Sequence, residues 1–443
     1  MREAGPRPPG EHAETVSAGA LLRSRRFGPL FATQFLSAFN DNALKNALVL
    51  MIAYRGAGDD GASAPLLIPL AGGLFILPFF LCSAFAGELA DASDKARLVR
   101  LIKLVEIGVM ALAALGIVAG SIPLLFALLF AMGVEAAFFG PIKYAILPDL
   151  LAPHELLLGN ALVEAGTFLA ILLGTIAGVL VALGDGGIVV AAVMVAVAAT
   201  AWLCSLAIPS TRPAAAPRRL NWNFVLGTAR LLIEARRMPV PFRAMLAISW
   251  FWLVGATFLA QFPSYVRFIL RAEEAVVTLF LTVFSVGIAV GSLVCNRLLG
   301  GQVSARIVPW GALGIGVFSV DLWLATPDIR PQGDLAGLGA FLLAPAHWHI
   351  LGDLFAIAVA GGIFIVPLYA LLQVSTEAEH RARAIAANNV VNAAAMVLSA
   401  LATTALIAIG VGVPGLFFLC GAASIAIVPL VWRTLPRAAP RPA

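Results

Sequence analysis

Long apolar runs, separated by short polar breaks, fill almost the whole 443-residue chain. A bilayer core about 30 Å thick takes about 20 apolar residues per helix. Runs of that size fall at 28–54, 64–88, 99–119, 122–147, 156–183, 187–208, 244–266, 275–299, 304–325, 350–373, 385–409 and 413–432. Membrane-spanning strands would be about ten residues long and would alternate strictly, whereas unbroken apolar runs satisfy their backbone in lipid as helices. The pattern predicts an all-α polytopic membrane protein with twelve transmembrane helices. The longest break divides the spans six and six. The expected organisation is a polar N-terminal segment (1–27), a six-helix half (28–208), a linker (209–243), a second six-helix half (244–432) and a tail (433–443). The first run is too long for a cleaved signal, and no small-residue site closes it, so it is expected to stay in the membrane.

Within the linker, Trp222, Val225, Leu226, Ala229, Leu232 and Ile233 recur at helical spacing. They predict an amphipathic helix capped by Asn221 and stopped at Met238-Pro239, lying at the membrane surface between the halves. The halves repeat weakly. Pro141…His154 is mirrored by Pro367…His380, and Asn160 in span five is answered by Asn389 in span eleven. Two six-helix halves in parallel repeat suit a transporter of the major facilitator kind.

Composition narrows the class. Hydrophobic residues make up 61 % and charged residues 12 % of the chain, against about 45–50 % and 25 % in soluble domains. Mean hydropathy is +0.96. This excludes a soluble enzyme and a disordered chain. The net charge of +5 could suggest nucleic acid, but 23 of the 29 Lys and Arg residues fall on one side of the predicted membrane and four on the other. That bias puts both termini in the cytoplasm, and no nucleic-acid partner is expected. Some of these basic residues are placed to touch anionic membrane lipids. Cys82, Cys204, Cys295 and Cys420 form no pair or cluster, and His347-Trp348-His349 reads as an interfacial anchor without a third ligand. No metal or cofactor is expected.

Ionisable and amide side chains inside spans are costly, so each is a site hypothesis. The densest set is Asn40-Asp41-Asn42…Lys45-Asn46 in span one. Asp41 lies about 18 Å along its helix, near mid-membrane, and Lys45 stands one turn on, at ion-pair spacing. Glu135 and Lys143 share span four; Asn160 and Glu164 share span five. Glu135 and Glu164 would relay a proton or belong to a gate network on the inside face. Asn388, Asn389 and Asn392 crowd span eleven, and Gln261 is the main polar group of span seven. Gly166, Gly174 and Gly178 are spaced for close helix approach.

After span two, Gly87, Asp91 and Lys95 match the loop signature of the major facilitator superfamily, while Ala92, Asp94 and Ala96 depart from it. Gln34–Asn46, Phe139–Pro148, Gly159–Gly166 and Gly255–Pro263 resemble the bacterial lysophospholipid transporters of that superfamily. The likeness is greatest to the transporter half of fusions with a phospholipid acyltransferase. The resemblance implies movement of a lysophospholipid, typically lysophosphatidylethanolamine, to the cytoplasmic leaflet of the inner membrane, where an acyltransferase restores the missing chain. It implies headgroup-handling roles for Asp41 and Lys143, with Asn42 and Lys45 beside them, and a latch role on the inside face for Asp91, with Lys143 and Glu164 nearby and Lys95 among the gating residues. The family's seventh-span Arg is missing; Gln261 stands in that area, and Arg267 lies at the span's outer end. The alternative is a proton-coupled major facilitator antiporter for a small amphipathic solute or drug, using Glu135 or Glu164. No nucleophile constellation marks an enzyme.

Overall fold

The computed structural model describes residues 17–55, 64–180, 186–215, 223–326 and 335–437. The ends of the chain, Asn221 and Trp222 of the linker, and Arg330 lie outside the described residues. A short surface helix, α1 (Ala18–Arg23), precedes the first half. That half comprises α2 (Gly28–Arg55), α3 (Ala64–Asp91), α4 (Lys95–Ala119), α5 (Ile122–Ala145), the single turn α6 (Leu147–Leu150), α7 (Leu156–Leu180) and α8 (Gly186–Leu206). The linker carries α9 (Phe224–Arg236). The second half comprises α10 (Pro239–Ser264), α11 (Glu274–Leu299), α12 (Val308–Ala325), α13 (Leu338–Leu343), α14 (Pro345–Val374), α15 (Arg381–Ala408) and α16 (Val413–Thr434). No strand occurs among the described residues, only an isolated bridge between Ala272 and Ala336.

Twelve of these helices are the predicted spans. Eleven are long and apolar enough to cross a membrane. The other, α2, has 28 residues, but Asn40, Asp41, Asn42, Lys45 and Asn46 lower its hydropathy. Such a helix is stable in lipid only where its polar face is turned inward. Helix α2 therefore packs on α7. Cβ atoms added at Gly174 and Gly178 would lie 2.3 Å from the Phe39 carbonyl oxygen and 2.6 Å from that of Ala43. These glycines let the two backbones touch, as their spacing predicts. The halves meet along two seams, α7 against α11 and α3 against α15.

Several details differ from expectation. The linker helix is capped by Asn223, whose side chain accepts from the Leu226 N–H at 3.0 Å, rather than by Asn221. Its buried face is Gly227, Leu231 and Ala235, with Gly227 close to Ala84 of α3. The predicted stripe of Val225, Leu226, Ala229 and Ile233 stays exposed, as suits a helix resting on lipid. His347-Trp348-His349 belongs to the first turns of α14, because Pro345 starts that helix five residues early. Lys103, one of the 23 basic residues counted on the cytoplasmic side, is fully buried in α4.

Candidate functional site

Between the halves lies a cavity of about 420 Å³. Helix α2 contributes Asp41, Asn42 and Lys45; α5 contributes Lys143 and Tyr144; α10 Trp252; α14 Tyr369; and α15 Asn389 and Asn392. Phe75, Phe79, Phe139 and Met396 make much of the remaining wall apolar. The sequence places Asp41, Asn42, Lys45, Lys143 and Asn389 in three separate spans, and the fold brings all of them to this one chamber.

The expected Asp41–Lys45 ion pair is absent. Lys45 Nζ instead donates to Asn42 Oδ1 at 3.1 Å, and Asp41 Oδ1 is buried with no hydrogen-bond partner. Among the described residues Lys143 forms no ion pair; its ammonium lies 4.9 Å from the Tyr144 ring centroid. The chamber thus holds one carboxylate, Asp41, and two ammonium groups, Lys45 and Lys143, none of them in an ion pair among the described residues. Unpaired charge in a low-dielectric site is costly until a complementary group arrives. Gln261 does not line the cavity; it lies about two and a half turns past Trp252 in α10. The same helix runs into a π-helical turn, Tyr265–Ile269, just after Pro263.

At one end of the chamber the halves are closed. Tyr144 and Tyr369 stack across the seam with centroids 4.2 Å apart. Tyr144 donates its hydroxyl to Glu164, and Trp252 Nε1 donates to Tyr369 at 3.3 Å. Beyond them, Asn160 and Gln373 exchange two amide hydrogen bonds, at 2.8 and 2.9 Å. Gln373 is the cross-seam partner of Asn160; Asn389, its counterpart in the sequence repeat, faces the cavity instead.

Farther out, Asp91 at the end of α3 accepts from the N–H groups of Ala382 at 2.8 Å and Arg383 at 3.2 Å, and from Arg383 Nε at 3.3 Å. These are the second and third residues of α15. A carboxylate of one half therefore caps a helix N-terminus of the other, where unpaired N–H groups and the helix dipole favour an anion. Lys143 and Glu164, expected near Asp91, take no part in this contact. Lys95 Nζ reaches Asp149 at 2.9 Å, and Asp149 faces Arg381 across the seam at 3.4 Å. Asp94 caps α4 through the Ala96 N–H at 2.9 Å. Partial burial pushes its carboxyl up, but bonds from Ser210, Thr211 and Arg97 outweigh this and hold it below its usual range. All polar contacts between the two halves among the described residues lie at this end.

Gly87 explains the glycine of the signature. A Cβ there would stand 2.9 Å from both Ala386 Cβ and Arg383 Cα, so only glycine lets α3 and α15 close. Gly87→Val is expected to wedge this end open. Spin labels at Ser93 and Glu379 would then report a longer distance; an unchanged distribution would count against the latch.

Glu135 and Glu164 take different partners. Glu135 binds Lys103, whose Nζ also lies 2.8 Å from Glu106 Oε2 and 3.9 Å from the Phe139 ring centroid. Asn40 and Ser37 of α2 add bonds to Glu106. This buried triad beside the cavity was not anticipated. Its signal was present as a Lys103/Glu106 pair three residues apart inside an apolar run.

The family profile described as Major Facilitator Superfamily matches residues 30–327. Lysophospholipid transporter LplT of Serratia proteamaculans (strain 568) is 32 % identical over 369 residues, covering 81 % of this chain and 82 % of that protein. The Citrobacter koseri protein of the same name is 31 % identical, covering 93 % and 97 %. Among solved structures, the human organic anion transporter MFSD10 superposes with TM-score 0.72 at 14 % identity, covering 92 % of this chain and 99 % of that one. A bacterial homologue of ferroportin in its outward-facing state superposes with TM-score 0.65 at 15 % identity, covering 91 % and 98 %. At such identities these structural likenesses speak for the fold alone. With the profile spanning most of the chain and relatives above 30 % identity matching along most of their length, the chain belongs to the major facilitator superfamily and, within it, to the family of these lysophospholipid transporters.

Proposed function

We propose that this chain moves lysophospholipid, with lysophosphatidylethanolamine as its main substrate, across the bacterial inner membrane to the cytoplasmic leaflet by alternating access. The carrying observation is that a carboxylate, Asp41, and an ammonium, Lys143, line one largely apolar chamber with no ion-pair partner among the described residues. A zwitterionic headgroup presents an ammonium to the carboxylate and a phosphate to the lysine through charge-assisted bonds. The single acyl chain lies along the Phe75, Phe79 and Met396 wall. With both termini in the cytoplasm, the Asp91 latch is on the cytoplasmic side, and the closed end makes this the outward-facing form. A separate phospholipid acyltransferase would consume the delivered lipid.

Reconstituted vesicles tested with a lipid panel separate the possibilities. Uptake of lysophosphatidylethanolamine is expected to exceed that of diacyl phosphatidylethanolamine, which brings a second acyl chain to the same apolar wall. Equal rates for the two would overturn the reading. A second reading, proton-coupled antiport of an amphipathic solute, draws on Glu135 and Glu164, each with one buried carboxylate oxygen lacking a hydrogen bond. Lysolipid uptake that persists without a proton gradient would count against it.

A further inference from the structure

The end of the second half opposite the latch carries a cluster that lipid transport does not use. His349 and Asp353 stand one turn apart at the start of α14, and Asp321 faces them from α12. His349 Nε2 is 3.0 Å from Asp321 Oδ2 and 3.6 Å from Asp353 Oδ2, and one ligand atom from each residue lies within 4.8 Å of the other two.

An acidic cluster alone says little. Here a second observation points inward. Asp353 is only 3 % exposed, and its Oδ2, directed at His349, has no hydrogen-bond partner. Leaving a buried carboxylate oxygen unsatisfied is costly. The ion pairs of Asp321 and Asp353 among the described residues are with His349 only, so two carboxylates share one imidazole.

We propose that Asp321, His349 and Asp353 form a binding site for a divalent cation of the zinc class. Metal–ligand bonds of about 2.0–2.1 Å in a tetrahedron put neighbouring ligand atoms about 3.3 Å apart. The observed 3.0 and 3.6 Å bracket that spacing. An imidazole in the set favours zinc over magnesium or calcium, which prefer all-oxygen shells. A hydrated ion can enter, since the His349 side chain is 56 % exposed. Trp348 beside it is exposed, as an aromatic residue at a membrane–water boundary would be. The fourth position is left to water. Because the ligands come from two helices, the bound ion ties α12 to α14.

The test uses the full-length chain, purified in detergent and stripped of metal with a chelator. Zinc is titrated by calorimetry, and thermal unfolding is followed with and without it. Wild type is expected to bind one zinc more per chain than His349→Gln or Asp353→Asn, or to bind it at least about tenfold more tightly. Zinc should raise the Tm of wild type but not of the variants, and magnesium at the same concentration should do neither. His349→Gln alters an exposed side chain and keeps the comparison sound if Asp353→Asn misfolds. Equal zinc binding by wild type and His349→Gln, no binding by wild type, or an equal response to magnesium would each overturn the proposal.

Discussion

Asp41→Asn is expected to cut lysophosphatidylethanolamine uptake by about 10–100-fold, the worth of one charge-assisted hydrogen bond of about 1.5–3 kcal/mol. The substitution keeps the side chain's shape and removes only its charge. Asp41 Oδ1 has no partner in the protein, and the carboxylate forms no ion pair with Lys45, so folding has little to lose. Thermal stability in detergent should therefore stay close to wild type. A variant that loses uptake and unfolds early would make Asp41 structural. A variant with normal uptake would remove it from the headgroup site.

Lys103→Met should have the opposite profile. Lys103, Glu106 and Glu135 are buried together, with one ammonium serving two carboxylates. Removing the ammonium leaves both acids without their counter-charge, a loss of about 3–5 kcal/mol for a broken buried pair. Poor yield and a sharply lowered Tm are expected. Replacing all three residues, Lys103→Met with Glu106→Gln and Glu135→Gln, should recover most of that stability, because no charge remains uncompensated. A single Lys103→Met variant as stable as wild type would show that the triad does not hold α4 and α5 to α2.

These two sites also differ in how far the sequence disclosed them. Asp41 and Lys143 interrupt long apolar runs, so the membrane itself makes them conspicuous. Their failure to pair with neighbours was not legible, because Lys45 could equally have met Asp41 or, as it does, Asn42. Lys103 stands near the start of its helix, where lysine ordinarily marks the cytoplasmic boundary, and that rule hid a buried triad. Asp91 was legible from its loop signature, but its partner was not. The partner is a set of backbone N–H groups on α15, and no side-chain pattern announces those. Tyr144, Tyr369 and Gln373 read as ordinary members of apolar spans; only the packing of α5 and α7 against α14 reveals them as a closure. Gln261 is the main polar group of its span, yet the helix carries it past the chamber and presents Trp252 there.

The twelve helices themselves were nearly complete in the hydropathy pattern, because lipid imposes one length and one backbone solution. The site was only half legible, because it is made where seven helices converge.

The central claim is that Asp41 meets the ammonium of the headgroup while Lys143 meets its phosphate. Headgroup selectivity of Asp41→Asn in reconstituted vesicles tests it most directly. Lysophosphatidylglycerol has the phosphate but no ammonium. Wild type should prefer lysophosphatidylethanolamine, and Asp41→Asn should lose that preference while keeping its slower lysophosphatidylglycerol uptake. If the substitution lowers uptake of both lipids by the same factor, or of neither, the assignment of Asp41 to the ammonium is contradicted.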